Sequence, residues 1–214
     1  MKIFAHRGRH GSGVAENSLT AFQGAIDAGA DGIETDIRVD ADGVPILFHD
    51  RALGGAAVAG LRRDEIAARA GHPVATLEEA LSQGWATEWN FELKTTASLA
   101  AAAPLLRRYR GTRYFVSSFF HPLVREAARE LDVPGGLLIA HNPEAAGVPG
   151  DACERVPYLV WDFETATAEA LAAARSRGWQ NIAYGAATPA EHRHAAGLGL
   201  AALITDHVEM ARGG

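Results

Sequence analysis

Short runs rich in β-branched and aromatic residues alternate with amphipathic helical stretches along the whole chain, and this alternation is the strongest constraint on its fold. The spans Lys2–His6, Gly32–Val39, Glu88–Lys94, Tyr114–Phe119, Gly135–Ala140, Tyr158–Phe163, Asn181–Ala186 and Ala201–His207 read as strands. Helical patterns fall near Ser18–Ala28, Thr76–Gln83, Ser98–Tyr109, Pro122–Leu131, Thr167–Arg177 and Pro189–Ala196. Eight strands with intervening helices fit a (β/α)8 TIM barrel better than the alternative, an open sheet. At 214 residues, 48% of them hydrophobic, the chain is long enough for one such barrel. No composition shift marks a boundary, so residues 1–214 are read as a single domain.

One segment interrupts the alternation. Asp42-Gly43 supplies turn chemistry after the second strand, and Pro45–His49 then reads as a short return strand. That β-hairpin excursion would bring His49 back to the barrel mouth. The Gly/Ala-rich stretch Ala52–Gly60 reads as a featureless loop, a minimal lid insertion. Asn142–Pro157 reads as a Pro/Gly-rich loop with at most a short helix.

Side chains alternate faces along a strand, so Glu34 and Asp36 point one way, as do Asn90, Glu92 and Lys94. Ile33, Thr35, Ile37, Trp89, Phe91 and Leu93 then suit the layer under the helices. Charged groups would therefore face the barrel interior near the strand ends that form the active-site face of such barrels. Three converging carboxylates repel one another unless a cation neutralises them, and hard oxygen donors suit Mg²⁺ or Ca²⁺. The competing reading pairs the acids with Arg7, Arg38 or Lys94 as structural ion pairs. His6 closes the first strand, and with His49 at the same mouth the two imidazoles can divide general-base and general-acid work. Arg7 offers a planar fork suited to phosphate oxygens.

The formal charge is −6 and no Lys/Arg-rich run occurs, which argues against a nucleic-acid or anionic-membrane surface. Phosphate recognition must then be local. Cys153 is the only cysteine, so there is neither an internal disulfide nor a cysteine metal cage, in keeping with a reducing compartment. The opening MKIFAHRG lacks a signal-peptide core, and no run approaches the roughly 20 apolar residues of a membrane span. The expectation is a cytoplasmic protein without stable membrane insertion, a monomer or homodimer acting on a small molecule.

An ordered set of short motifs resembles the glycerophosphodiester phosphodiesterase family. It runs through His6-Arg7-Gly8, Glu16-Asn17-Ser18 with Ala21-Phe22, and Gly29-Ala30-Asp31-Gly32-Ile33-Glu34-Thr35-Asp36. It continues through Asp42-Gly43, His49-Asp50, Thr76-Leu77-Glu78-Glu79-Ala80-Leu81, Phe91-Glu92-Leu93-Lys94, Ser118-Phe119 and Ile204-Thr205-Asp206. The resemblance implies a TIM barrel with Mg²⁺ or Ca²⁺ on Glu34, Asp36 and Glu92, and His6 and His49 as the catalytic pair. It further implies that Arg7 and Lys94 bind phosphate, that Glu16 organises the site, and that the products are glycerol 3-phosphate and an alcohol. Analogy with related phospholipases adds a route through a cyclic phosphate. Two departures touch the substrate pocket. The stretch after His49-Asp50 is unusually short, and the family's Trp-Thr-x-Asn pattern becomes Tyr184-Gly185-Ala186-Ala187, keeping an aromatic but losing the Asn.

Other residues carry less. Tyr184 and Trp161 are candidate pocket aromatics, although core packing is the favoured role for Trp161 and Phe163. His192 and His194, two apart on a helix, are expected to be solvated and make a poor metal pair. His141 and His207 follow strand ends without a visible partner. Gly8-x-x-Gly11-x-Gly13 reads as an active-site loop, since no Lys-Ser/Thr follows it. Two alternatives to glycerophosphodiester hydrolysis remain at this point: the same machinery on a lysophospholipid or other small phosphodiester, and a catalytically silent binding barrel. An isomerase or aldolase would leave the histidine pair unexplained.

Overall fold

The computed structural model describes residues 1–141 and 150–213. Its strands are β1 (Lys2–His6), β2 (Gly32–Val39), β3 (Pro45–Leu47), β4 (Ala52–Leu53), β5 (Ala56–Ala57) and β6 (Glu88–Leu93), followed by β7 (Arg113–Ser118), β8 (Gly135–Ile139), β9 (Tyr158–Asp162), β10 (Gln180–Tyr184) and β11 (Ala202–Thr205). The helices are α1 (Leu19–Asp27), α2 (Arg63–Ala70), α3 (Leu77–Ser82), α4 (Thr96–Arg108), α5 (His121–Leu131), α6 (Ala168–Ser176), α7 (Pro189–Gly197) and α8 (Val208–Arg212). Eight parallel strands close into a barrel in the order β1, β2, β6, β7, β8, β9, β10, β11, because β1 pairs with both β2 and β11. The expected TIM barrel is therefore the fold, and β3 returns antiparallel along β2 as the expected hairpin, with Ile37 opposite Leu47.

The turns from strand to helix are set by capping chemistry. Ser18, Thr76, Thr95, Thr167 and Thr188 each accept a backbone N–H in the first turn of the helix that follows. Thr76 with Glu79, and Thr188 with Glu191, complete reciprocal capping boxes. Gly8 is required for a different reason. It sits at φ 82°, and a Cβ there would meet the backbone of Ala21 at 2.7 Å, so α1 can approach β1 only over a glycine.

Two concentric apolar layers follow the strand parity. The outer one packs Ile33, Ile37, Trp89, Phe91 and Leu93 beneath helical residues such as Phe22, Leu99 and Leu106. The inner one holds Phe4, Phe115, Leu138, Val160, Ile182, Ala202 and Ile204 inside the barrel. Two residues further along several strands the interior position turns polar: Phe4 gives way to His6, Phe115 to Ser117, Val160 to Asp162 and Ile182 to Tyr184. The barrel thus has an apolar floor and a polar mouth.

Three expectations need correction. The stretch Ala52–Gly60 is not featureless: β4 pairs with β5, and a 3-10 turn over Val58–Gly60 follows. Val58 packs with Ile46, Phe48, Leu61, Ile66 and Val74 in a cluster of its own. Helix α2 was not anticipated, since Ile66 is its only buried residue and its hydrophobic periodicity is almost blank. His192 is buried rather than solvated, its ring between the Thr188 carbonyl (2.7 Å) and the Thr205 hydroxyl (2.8 Å). Of the expected loop Asn142–Pro157, residues 142–149 lie outside the described residues, and the remainder turns through a Cys153–Val156 bridge.

Gly32 faces the inner layer, and a Cβ there would lie 2.3 Å from the Phe4 ring and 2.7 Å from the Glu88 carbonyl. Gly32→Ala should cost about 1–3 kcal/mol, the usual range for overpacking a filled core. The measurement is the urea midpoint at unchanged m-value, and Phe4→Leu in the same chain should recover part of the loss.

Candidate active site

β1 delivers His6 to the mouth, and the register places it opposite Glu34 on β2. The ring is held by its Nδ1, 2.8 Å from Asp206 Oδ1 just past β11, which leaves Nε2 facing the site, 3.9 Å from Glu34 Oε2. Burial works against charge on His6, but the Asp206 hydrogen bond and the nearby Glu34 outweigh it and raise its pKa. Asp206 also accepts from His10 Nε2 at 3.1 Å. Burial opposes ionisation of Asp206 too, yet the two imidazole hydrogen bonds hold it well below the usual carboxylate range. His49 reaches the same cavity on the return hairpin. Its Nδ1 lies 2.9 Å from Asp50 Oδ1, and its carbonyl accepts from Arg38 Nε at 2.7 Å.

Glu34, Asp36 and Glu92 are all buried and can bring ligand oxygens within 4.8 Å of one another. Lys94 Nζ sits between two of them, 2.7 Å from Asp36 and 2.5 Å from Glu92. Arg7, at φ 54°, donates through Nη1 to both Glu16 oxygens at 3.0 Å and places Nε 3.2 Å from Asp36 Oδ2. Asp36 Oδ1 and Arg7 Nε are nonetheless buried without a well-directed hydrogen bond, each only at ion-pair distance from its counter-charge. Asn17 completes the support: it donates to Asp36 Oδ2 at 2.8 Å and accepts from the Thr35 hydroxyl at 2.6 Å.

This geometry divides the three acids. Burial opposes charge on Asp36, but Lys94 and Arg7 outweigh it and keep the group below the ordinary carboxylate range. Among the described residues no Lys or Arg side chain lies at ion-pair distance from Glu34, whose Oε2 accepts the Arg7 backbone N–H at 3.2 Å. Burial, and then the charge of Asp36, pushes its carboxyl up to about 8. Glu92 is also raised by burial, which Lys94 only partly offsets. An all-oxygen trio whose negative charge Lys94 and Arg7 offset only in part is a donor set that a hard divalent cation fits.

The cavity over these groups measures about 200 Å³, and Tyr184, Phe119, Leu138 and Ile204 help to line it. Burial, then Asp162 and Glu92, pushes the Tyr184 hydroxyl up to about 12, so it stays neutral. A larger depression of about 740 Å³ opens at the opposite end of the barrel, where Lys2, Glu88 and Arg113 begin their strands. Size does not decide between them, because the imidazoles and the buried acids meet only in the smaller one among the described residues.

Nine of the residues singled out from sequence, His6, Arg7, Glu16, Glu34, Asp36, His49, Glu92, Lys94 and Tyr184, come together around this mouth. Trp161 does not. It is fully buried in the outer layer, where Asn181 Oδ1 accepts its indole N–H at 2.9 Å, and its neighbour Asp162 shares the interior parity of Val160. Its location follows from that polar partner on β10, which the single strand does not reveal. Sequence reasoning gave no role to Asn17, Asp50, Asp206 or His10. The first three lie within the recognised motifs, but Asn17 meets Asp36 only once β2 packs beside β1, and Asp206 meets His6, 200 positions away, only through barrel closure.

A closed parallel barrel with a charged, two-histidine mouth at the C-terminal strand ends defines a (β/α)8 protein with a metal-competent polar site. The Glycerophosphoryl diester phosphodiesterase family model matches residues 6–210, and the chain belongs to that family. A glycerophosphodiester phosphodiesterase of Bacillus altitudinis is 48% identical over 52 residues, 24% of this chain and 21% of that protein, so the chain matches only about a fifth of the relative's length. Among solved structures, a phosphodiesterase of Oleispira antarctica in complex with the product sn-glycerol-3-phosphate superposes with TM-score 0.84 at 21% identity, covering 100% of this chain and 96% of that one. A glycerophosphodiester phosphodiesterase from Parabacteroides distasonis ATCC 8503 has the same TM-score at 20% identity, covering 99% and 95%. These two likenesses concern the fold.

The raised Glu34 carboxyl has a consequence for stability. Its folded pKa, about 8, lies above the ordinary glutamate value of 4.5, so the folded protein holds a proton that unfolding releases. Between those values the cation-free protein should lose stability as pH rises. Urea unfolding in EDTA should give a lower free energy at about pH 8 than at about pH 6, and Glu34→Gln should flatten that slope.

Proposed function

We propose that the chain is a phosphoric diester hydrolase that cleaves a glycerophosphodiester to glycerol 3-phosphate and an alcohol with the help of Mg²⁺ or Ca²⁺. The observation that carries this reading is the convergence of two imidazoles, three buried carboxylates and two cationic side chains on one cavity. Family membership supports the reaction class, and the product bound to the Oleispira protein supports the substrate class. The reading takes residues 1–214 as one catalytic domain, a monomer or homodimer.

Glu34, Asp36 and Glu92 would hold the cation, which supplies positive charge against the phosphoryl oxygens. Arg7 and Lys94 face the phosphate as further cations, and Glu16 fixes the Arg7 fork. Tyr184 offers a neutral hydroxyl on the wall. His6 and His49 each give Nδ1–H to a carboxylate, so each presents Nε2 as the working nitrogen. One neutral ring takes the proton from the attacking oxygen as its bond to phosphorus forms. The other, protonated, returns a proton to the leaving alcohol oxygen as that bond breaks. Where the glycerol 2-hydroxyl attacks first, the rings exchange roles as water opens the cyclic phosphate.

A second reading keeps this machinery and changes the substrate to a lysophospholipid. Phe119 and Phe120, about half exposed at the end of β7, favour it: Phe119 also lines the cavity, with its ring edge against Tyr184. An apolar rim beside a phosphate site suits a substrate with a hydrocarbon chain.

His6→Ala and His49→Ala should each lower turnover by roughly 10²–10⁴-fold, and two fully active variants would remove the acid–base assignment. Glu34→Ala should keep the fold by circular dichroism and lose cation-dependent turnover; undiminished activity in EDTA would sink the metal role. Product masses from glycerophosphocholine, glycerophosphoethanolamine and a lysophospholipid, each with and without EDTA, decide between the two substrate readings.

A further inference from the structure

A second set of metal-competent donors lies on the other side of His6 from the carboxylate trio. His6 Nδ1, His10 Nε2 and a carboxylate oxygen of Asp206 lie within 4.8 Å of one another. Both ring nitrogens are aimed at the same oxygen, Asp206 Oδ1, at 2.8 and 3.1 Å. Two imidazoles converging on one carboxylate oxygen is the layout that a cation seated between the three would complete. Their side chains are 30%, 24% and 47% exposed, which leaves an open fourth position to solvent.

The loop carrying His10 is built, not trailing. Arg9 N–H donates to the Ala21 carbonyl at 2.8 Å, and Gly11 and Val14 exchange backbone hydrogen bonds at 2.9 and 3.0 Å. Nearby positive charges are already engaged: Arg9 pairs with Glu209, and Arg7 with Glu16 and Asp36. Donor chemistry separates the two clusters. Glu34, Asp36 and Glu92 are all oxygen, which suits Mg²⁺ or Ca²⁺. Two imidazoles and one carboxylate with an open position suit a borderline cation such as Zn²⁺.

We propose that His6, His10 and Asp206 form a Zn²⁺ site distinct from the carboxylate cluster, and that its occupation shuts the active site down. Zn²⁺ takes the lone pair of His6 Nδ1, so the proton that this nitrogen donates to Asp206 moves to Nε2 by exchange with solvent. His10 likewise shifts its proton from Nε2 to Nδ1, and neither neutral ring loses a proton overall. His6 then presents an N–H where it would otherwise offer an acceptor, and it cannot take a proton from an attacking oxygen. Inhibition rests on the acid–base reading of His6, whereas the binding does not.

Calorimetric titration of the full chain with ZnCl₂, with Mg²⁺ in large excess over the carboxylate cluster, should show one His10-dependent site. In His10→Ala, Zn²⁺ affinity should fall roughly tenfold or more, the least expected when a direct ligand is lost. Co²⁺ in place of Zn²⁺ should give visible absorption bands that the variant lacks. Measured against each protein's own Zn²⁺-free, Mg²⁺-supported rate on glycerophosphocholine, half-inhibition by Zn²⁺ should shift between wild type and His10→Ala by the same factor and should not be relieved by more Mg²⁺. Equal Zn²⁺ affinity in the two proteins overturns the site. Binding that needs His10 but leaves turnover untouched overturns inhibition through His6, so the site and the acid–base reading fail separately.

Discussion

The backbone of β1 is hydrogen-bonded along both edges, and the rest of the site depends on that double pairing. With β2 on one side it places His6 against Glu34; with β11 on the other it brings Asp206, at the far end of the chain, onto the same imidazole. A parallel barrel obtains this convergence from closure alone, since every strand ends at the same rim. An open sheet of the same elements would leave β1 and β11 as separate edges and His6 with one neighbour. Closure also seals the interior, so the short side-chain stack from Phe4 and Ile204 up to the mouth is dry below and charged above.

That change of polarity within two residues sets the electrostatics. The apolar floor lowers the local dielectric under Glu34, Asp36 and Glu92, where like charges repel most strongly. Lys94 and Arg7 satisfy Asp36 first, because both reach it, and the deficit falls on Glu34. The same surplus of negative charge that costs stability in an empty cluster is what makes the cluster attractive to a hard cation. The family's hydrolytic reading and the pairing of acids with Arg and Lys are thus not exclusive descriptions: the ion pairs hold a site whose charge they leave uncompensated.

Much of this was legible in the sequence, for identifiable reasons. Period-two patterning in Gly32–Val39 and Glu88–Leu93 reports which side chains face inward, and Glu34, Asp36 and Glu92 follow from it directly. Asp42-Gly43 announces the turn that returns His49. What escaped has physical causes as well. Helix α2 offers one apolar anchor, too few for a periodic signal, and the β4–β5 hairpin is two pairs long, three of its four residues alanine, too short for an alternating pattern. Trp161, a pocket candidate for which core packing was the favoured role, does lie in the core, and its indole partner Asn181 sits on another strand, out of reach of a single-strand pattern. His192 followed the same course: a helix face looks polar until Thr205 on β11 supplies the buried partner. Local pattern reports faces; it does not report who waits on the other side.

The two imidazoles are anchored in different parts of the molecule. His6 belongs to a strand clamped on both edges, whereas His49 lies two residues past β3, which pairs with β2 and rests on residues 75 and 76 behind it. The apolar cluster beneath this hairpin, from Ile46 to Val74, is separate from both barrel layers. Leu47 alone ties β3 into the outer barrel layer, and a segment packed mainly on a small cluster of its own is the kind that opens below the free energy of global unfolding. Amide exchange there is expected to run ahead of exchange in β1. On that expectation heating or denaturant meets two thresholds: a lower one at which the imidazoles part company, and a higher one at which the barrel melts.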